Sequence, residues 1–440
     1  MIERVLRGGT SRRGSGPREG SRRVRAEGTV HPEFAPLRRL VRKLVEEQGG
    51  GVGVCVYHRG QVVADLWAGE RDAAGNPWLR DTMSPSFSTT KGVAATALHV
   101  LVDRGLLDYD ERVCHYWPEF AEAGKQDITV RHVLTHRAGL YHVRHMIEHA
   151  EQMLDWDCMI RAIERATPVH PPGERTAYHG LTFGFLVGEL VQRVSGSSFS
   201  EVVQETLARP LRLDGLFIGA PEEELHRAAQ LFWPRKALHS LTHEKISRST
   251  LASLIRAGQA VLRVGGIQLD AASVLHALAP RGIDTFDFSS KEILQAVIPA
   301  ANGLFTARSL ARMYAALASG GELDGVRILS RATLDRATQR QGRTRHMHVI
   351  PFDMAWRLGY HGVLTTRGVP RRAFGHFGLG GSGAWADPAR ELAVGMIVNR
   401  GVGSPFGDLR ILRVGGLALR CAEACEGLAR EPRTPPLSYA

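Results

Sequence analysis

The chain has 440 residues, 43% hydrophobic and 23% charged. Those are the proportions of a globular protein large enough for one two-lobed unit or two domains. Its net charge of +11 invites a nucleic-acid partner, but +5 of that lies in residues 1–27. That segment is a Gly/Ser/Arg-rich tail too polar to fold, so no nucleic-acid partner is expected.

No apolar run reaches the length of a transmembrane segment and the N-terminus lacks a signal-peptide core, so a cytoplasmic location is expected. After the tail, Phe34, Leu37, Leu40, Val41, Leu44 and Val45 trace one face of a helix that Gly49-Gly50-Gly51 ends. Two apolar runs, 52–57 and 61–67, flank His58-Arg59-Gly60 and read as a hairpin. Pro85 and a Ser/Thr cluster then make a turn, and Ala94, Ala97, Leu98, Leu101 and Val102 recur at helical spacing until Gly105. Ser88 therefore opens a helix, and Lys91 sits on the same face one turn later. This is a nucleophile with a base in reach, and the helix N-terminus adds stabilisation for an oxyanion.

Further helices are expected at 130–134, 146–166, 182–194, 199–207, 309–319 and 331–338. Near residue 350 the pattern turns to short strands at 354–360, 373–377, 383–386 and 392–398, and an amphipathic helix follows over 409–428. The fold class is α+β: an antiparallel sheet flanked by helices, with an inserted, mainly helical lobe. The sheet lobe takes residues 28–87 and 340–430, the helical lobe 88–339, and a catalytic groove is expected where they meet.

Two downstream segments supply partners for Ser88. In Thr176-Ala177-Tyr178-His179-Gly180 a tyrosine stands in a turn just before a helix, where its hydroxyl can enter a cleft and move protons beside a lysine. In Gly375-His376-Phe377-Gly378-Leu379-Gly380-Gly381-Ser382-Gly383 the glycines allow close backbone approach, and the Leu379 amide is a candidate second oxyanion donor. His376 is expected to border the substrate.

Together these motifs resemble the serine β-lactamase and penicillin-binding-protein superfamily, in particular its class C-like branch with the family VIII carboxylesterases. The resemblance spans roughly residues 28–425. It includes Leu106-Leu107-Asp108, Tyr116-Trp117-Pro118-Glu119-Phe120, the run from Val130 to Leu140, the run from Pro299 to Arg308, and Asp387-Pro388. It is weakest over 221–297. It implies a β-lactamase/transpeptidase-like fold, with Ser88 as acylated nucleophile, Lys91 as the lysine that sets its protonation and Tyr178 as the tyrosine of Tyr-x-Asn. His376-Phe377-Gly378 then takes the place of Lys-Thr-Gly. Gly180 replaces the asparagine and His376 the lysine, two groups that hold a β-lactam's amide and carboxylate. The resemblance therefore favours a serine hydrolase of small-molecule carboxylic esters, with no cofactor. A β-lactamase, a D-amino-acid peptidase, an acyltransferase and a non-catalytic scaffold remain alternatives.

Other signals are discounted. Gly378-x-Gly380-x-x-Gly383 matches a dinucleotide fingerprint, and Gly380-Gly381-Ser382-Gly383-Ala384 nearly matches a nucleophile elbow, but neither is followed by a helix. His142, His145 and His149 have helical spacing without a completing carboxylate or cysteine, so no metal is expected. Cys55, Cys114, Cys158, Cys421 and Cys425 include no C-x-x-C pair and read as reduced thiols.

Overall fold

The computed structural model describes residues 24–232, 271–342, 347–350, 353–401 and 408–430. Its principal sheet comprises β1 (Glu27–Val30), β2 (Gly51–His58), β3 (Gln61–Gly69), β4 (His361–Gly362), β5 (Phe374–Phe377), β6 (Gly383–Asp387) and β7 (Leu392–Val398). The strands are antiparallel, in the order β1-β3-β2-β7-β6-β5-β4. Pairing of β2 with β7, from Val52 opposite Val398 to His58 opposite Leu392, joins the N-terminal hairpin to the C-terminal strands. The helices that position the site and the core are α1 (Pro36–Gln48), α2 (Thr89–Asp103), α3 (Val143–Met146), α4 (Trp156–Arg165), α5 (Thr182–Ser195), α6 (Ala271–Leu278), α7 (Ala307–Ala318) and α8 (Leu409–Arg430).

The two central strands are buried along their whole length because both sheet faces are covered. Val52, Val54, Val56, Val394 and Met396 face α1 and α8, where Leu37, Val41, Leu44, Ile411 and Val414 complete one core. Cys55, Tyr57, Ala393 and Ile397, on the alternate positions, join the larger core shared with α2 and α7. Gly395 lets α7 lie on the sheet, since a Cβ there would stand 2.4 Å from the Ala307 carbonyl oxygen. Helix α2 is buried from Thr89 to Val102. A helix enclosed on all sides is a fixed platform for whatever its first turn carries.

Several sequence expectations need correction. Strand β1 starts at Glu27 and pairs with β3, and Ala26 is buried, so the fold begins inside the stretch read as tail; residues 1–23 lie outside the described residues. No strand forms over 354–360, where Ala355 and Gly359 adopt positive φ, and the Arg357 side chain instead binds the carbonyls of Thr338, Ala355 and Arg371. The single helix expected over 146–166 is split into α3, a 3-10 turn at Ala150–Leu154 and α4. Asp155 restarts the chain as α4 by accepting from the Cys158 N–H at 2.9 Å. Helix α7, placed by the sequence in the helical lobe, packs on β2, β6 and β7. Of the segment 221–297 with least resemblance, 233–270 lie outside the described residues.

Candidate active site

The chain enters the site through Ser84–Pro85, which pairs with Leu304–Phe305. The Ser86 N–H bonds the Gly303 carbonyl at 2.9 Å, and the next residue, Phe87, has φ +46. A bulky residue in left-handed conformation is strained, and such strain gathers where function fixes the backbone. Phe87 is held by burial of its ring beside Phe288, at 5.0 Å between centroids. This turn delivers Ser88 as the N-cap of α2.

Ser88 is half-buried. Its Oγ lies 3.0 Å from Lys91 Nζ and accepts a 2.7 Å hydrogen bond from the Tyr178 hydroxyl. Lys91 is fully buried, and Nζ also lies 2.6 Å from the Gly180 carbonyl oxygen and 3.0 Å from that of Ala300. Desolvation by burial holds the lysine pKa well below its ordinary value. A neutral amine has two N–H donors and one lone pair. The two carbonyls take the donors, which leaves the lone pair for the Ser88 O–H. Burial also raises the Tyr178 pKa, an effect the Ser88 hydrogen bond only partly offsets, so the phenol keeps its proton.

Both carbonyls that orient the lysine are themselves fixed. Asn302 holds the Ala300 loop: its Oδ1 accepts from the Ile298 N–H at 3.0 Å, and its Nδ2 donates to the Ile293 and Ala296 carbonyls at 2.7 Å each. Gly184 of α5 lets that loop approach, since a Cβ there would be 2.4 Å from the Ala300 nitrogen. Gly180 is wedged against α6, with Leu278 Cδ2 2.2 Å and the Ala277 oxygen 2.9 Å from where a Cβ would be.

The end of β5 forms the opposite wall. A Cβ on Gly378 would stand 2.2 Å from the Ser86 carbonyl oxygen, so the glycine is what allows the strand to meet the nucleophile turn. The Gly378 N–H is used by the Ser382 carbonyl at 2.8 Å, whereas among the described residues the Ser88 and Leu379 N–H groups make no backbone hydrogen bond. His376 is 2% exposed, with its ring 4.8 Å from that of His361 and 6.5 Å from that of Tyr178. Burial, then the neighbouring His361 and Lys91, push its pKa well down, and the imidazole is neutral. It is a buried residue of this wall, beside Tyr178.

Sequence reasoning missed several residues here. The Trp356 ring stacks on Tyr178 at 5.8 Å and 17°, and His136 lies 4.9 Å from Tyr178 and 4.5 Å from Trp356. Tyr141, Val349 and Trp356 pack with Tyr178 in one small cluster. His136, Ala300 and Asn302 fell within quoted family-like phrases, yet their roles rest on contacts far apart in sequence.

A sheet in which N-terminal and C-terminal strands pair at the centre, an inserted helical lobe, and a Ser-x-x-Lys helix define a serine hydrolase of the β-lactamase/transpeptidase fold. The chain belongs to the Beta-lactamase family, which it matches over residues 37–417. It is 37% identical over 379 residues to the "Esterase/beta-lactamase LipL" of Mycobacterium tuberculosis, covering 86% of this chain and 83% of that protein. A solved family VIII carboxylesterase superposes with TM-score 0.77 and 32% identity over 90% of this chain and 99% of its own. A penicillin-binding protein homologue from Caulobacter crescentus does so with TM-score 0.75 and 31% identity, over 89% of this chain and 99% of its own.

Proposed function

We infer that the chain hydrolyses small carboxylic esters through an acyl-enzyme on Ser88. The observation that carries this reading is the contact of one serine oxygen with a buried amine at 3.0 Å and a phenol at 2.7 Å. Lys91 takes the Ser88 proton as Oγ attacks the ester carbonyl carbon, and the resulting oxyanion is placed for the N–H groups of Ser88 and Leu379. On collapse the C–O bond to the alcohol breaks. Tyr178 protonates the departing oxygen and regains a proton from Lys91. Water then attacks the acyl carbon, with the same two residues removing its proton; the Oγ–acyl bond breaks, Oγ takes that proton back, and the carboxylic acid leaves.

The ester reading is favoured over a β-lactam because Leu278 fills the space an amide-binding side chain at 180 would need, and because His376 is buried and neutral. The carboxylesterase name of one solved relative supports it, whereas the LipL name carries both activities and supports only the shared serine chemistry. Turnover of p-nitrophenyl esters of increasing chain length beside a chromogenic cephalosporin tests the reading. Hydrolysis of short-chain esters supports it, and a cephalosporin turned over faster than every ester contradicts it.

A further inference from the structure

Outside the groove, three histidines from two separate elements converge. His142 caps α3, His145 lies one turn later on it, and His276 belongs to α6. Each offers one ring nitrogen, and these nitrogens all lie within 4.8 Å of one another. Ring centroids are 5.2 Å apart for His142 and His145, 5.2 Å for His142 and His276, and 4.3 Å for His145 and His276. His149, the third histidine of the sequence spacing, is elsewhere: it pairs with Glu151 and packs against Gly282. The sequence pattern therefore held two of the three members, and the fold supplies the third.

We propose that His142, His145 and His276 form a binding site for one divalent transition-metal ion of the zinc type. Three imidazoles suit zinc, copper or nickel and not magnesium or calcium, which take oxygen ligands. Zinc–nitrogen bonds of about 2.0–2.1 Å in a tetrahedron separate ligand nitrogens by about 3.3 Å. The cluster reaches that spacing by small rotations, for which the exposed His145 side chain has room. Solvent then occupies the fourth position.

The site has a structural consequence. Helix α3 is already tied to the residue that follows α6, the Arg144 guanidinium donating to the Ala279 carbonyl at 3.1 Å. Helix α6 carries Ala277 and Leu278, which wall the groove at Gly180. An ion held by His276 together with His142 and His145 staples that wall to α3.

The test uses untagged full-length protein stripped with a chelator and titrated with zinc chloride by calorimetry, and with cobalt chloride by visible absorption. Binding is read without substrate, so the result is independent of the esterase reading. One zinc ion per chain is expected at this site, with a Kd of about 1 μM or tighter and an intense tetrahedral-type cobalt band. His145→Ala and His276→Ala should each weaken zinc binding at least about tenfold. Substitution of the exposed His115 to Ala, away from the cluster, should not. Saturating zinc should raise Tm by roughly 3 °C or more in the wild type and not in His276→Ala. His145 is exposed, so its variant keeps the test valid if His276→Ala folds poorly. Absence of binding below about 100 μM, or unchanged affinity in His145→Ala, overturns the proposal.

Discussion

Leu278 and Gly180 are fitted to each other: a Cβ on Gly180 would be 2.2 Å from Leu278 Cδ2, while the Gly180 carbonyl oxygen holds Lys91 Nζ at 2.6 Å. One residue therefore sets the lysine and also shapes the substrate wall. Gly180→Asn should disturb both, lowering kcat/KM for a short-chain ester by at least about tenfold without creating β-lactam turnover. Adding Leu278→Ala should recover part of the loss. In the wild type, two missing polar contacts worth about 1.5–3 kcal/mol each should leave a β-lactam at least about a hundredfold behind the ester in kcat/KM. Full ester activity in Gly180→Asn would refute the steric argument.

The neutral amine makes a pH prediction. Lys91 works as a base only when unprotonated, so activity is lost at low pH and appears as pH rises through the lysine's own pKa. Burial has moved that pKa well below 10.5. A plateau in kcat/KM through neutral pH is expected, and a rate that climbs only above about pH 9 would contradict it. Lys91→Ala and Tyr178→Phe should each cost roughly 10² or more in kcat.

Buried neutral histidines predict acid lability. Burial pushes His99 and His361 down to about 4 and His179 to about 3, from 6.5. Below pH 6.5 the unfolded chain binds protons that the folded chain refuses. Their contribution is thus complete above about 6.5 and is lost as pH falls toward 4. At pH 5 the loss is roughly 2 kcal/mol per histidine. Thermal melts at pH 7.5 and pH 5 should differ by many degrees, and equal Tm values would show that these side chains are not buried neutral.

Strand β1 makes a prediction about truncation. A chain starting at residue 24 keeps all four pairs from Glu27 opposite Trp67 to Val30 opposite Ala64, and keeps Arg38 bonded to the Ala26 and Gly28 carbonyls. One starting at residue 31 loses them and opens the β3 edge. The second should melt several degrees below the first, and identical melts would make β1 dispensable.

The residues that local pattern decides were legible in the sequence. The helix after Ser88, the hairpin of β2 and β3, and β7 each carry an unbroken apolar period, so their bounds were read closely. Ser88 and Lys91 were found because i and i+3 positions share a helix face. Tyr178 and the glycine-rich strand end were singled out by a turn before a helix and by glycine density, and the resemblance gave them their roles. What failed depended on contacts between distant segments. Residues 354–360 have a strand's composition, but Arg357 is bound by the Ala355 carbonyl beside it and by the Thr338 and Arg371 carbonyls of other segments. The burial of His376 beside His361 was likewise not legible, since His361 lies on another strand. A lysine there would bring a charge into that wall, so His376→Lys should destabilise the fold before it can attract a carboxylate. His276 could not be joined to His142 and His145 from spacing, because α6 reaches them only through folding.

The central claim is that Ser88 becomes acylated, and mass spectrometry of the protein quenched during turnover of a slowly released aryl ester tests it most directly. The account predicts one acyl group per chain, mapped by peptide digestion to Ser88, and neither adduct nor more than a few per cent of turnover in a folded Ser88→Ala variant. An acyl group mapped to another residue, or a Ser88→Ala protein that hydrolyses the ester at near wild-type rate, would contradict it.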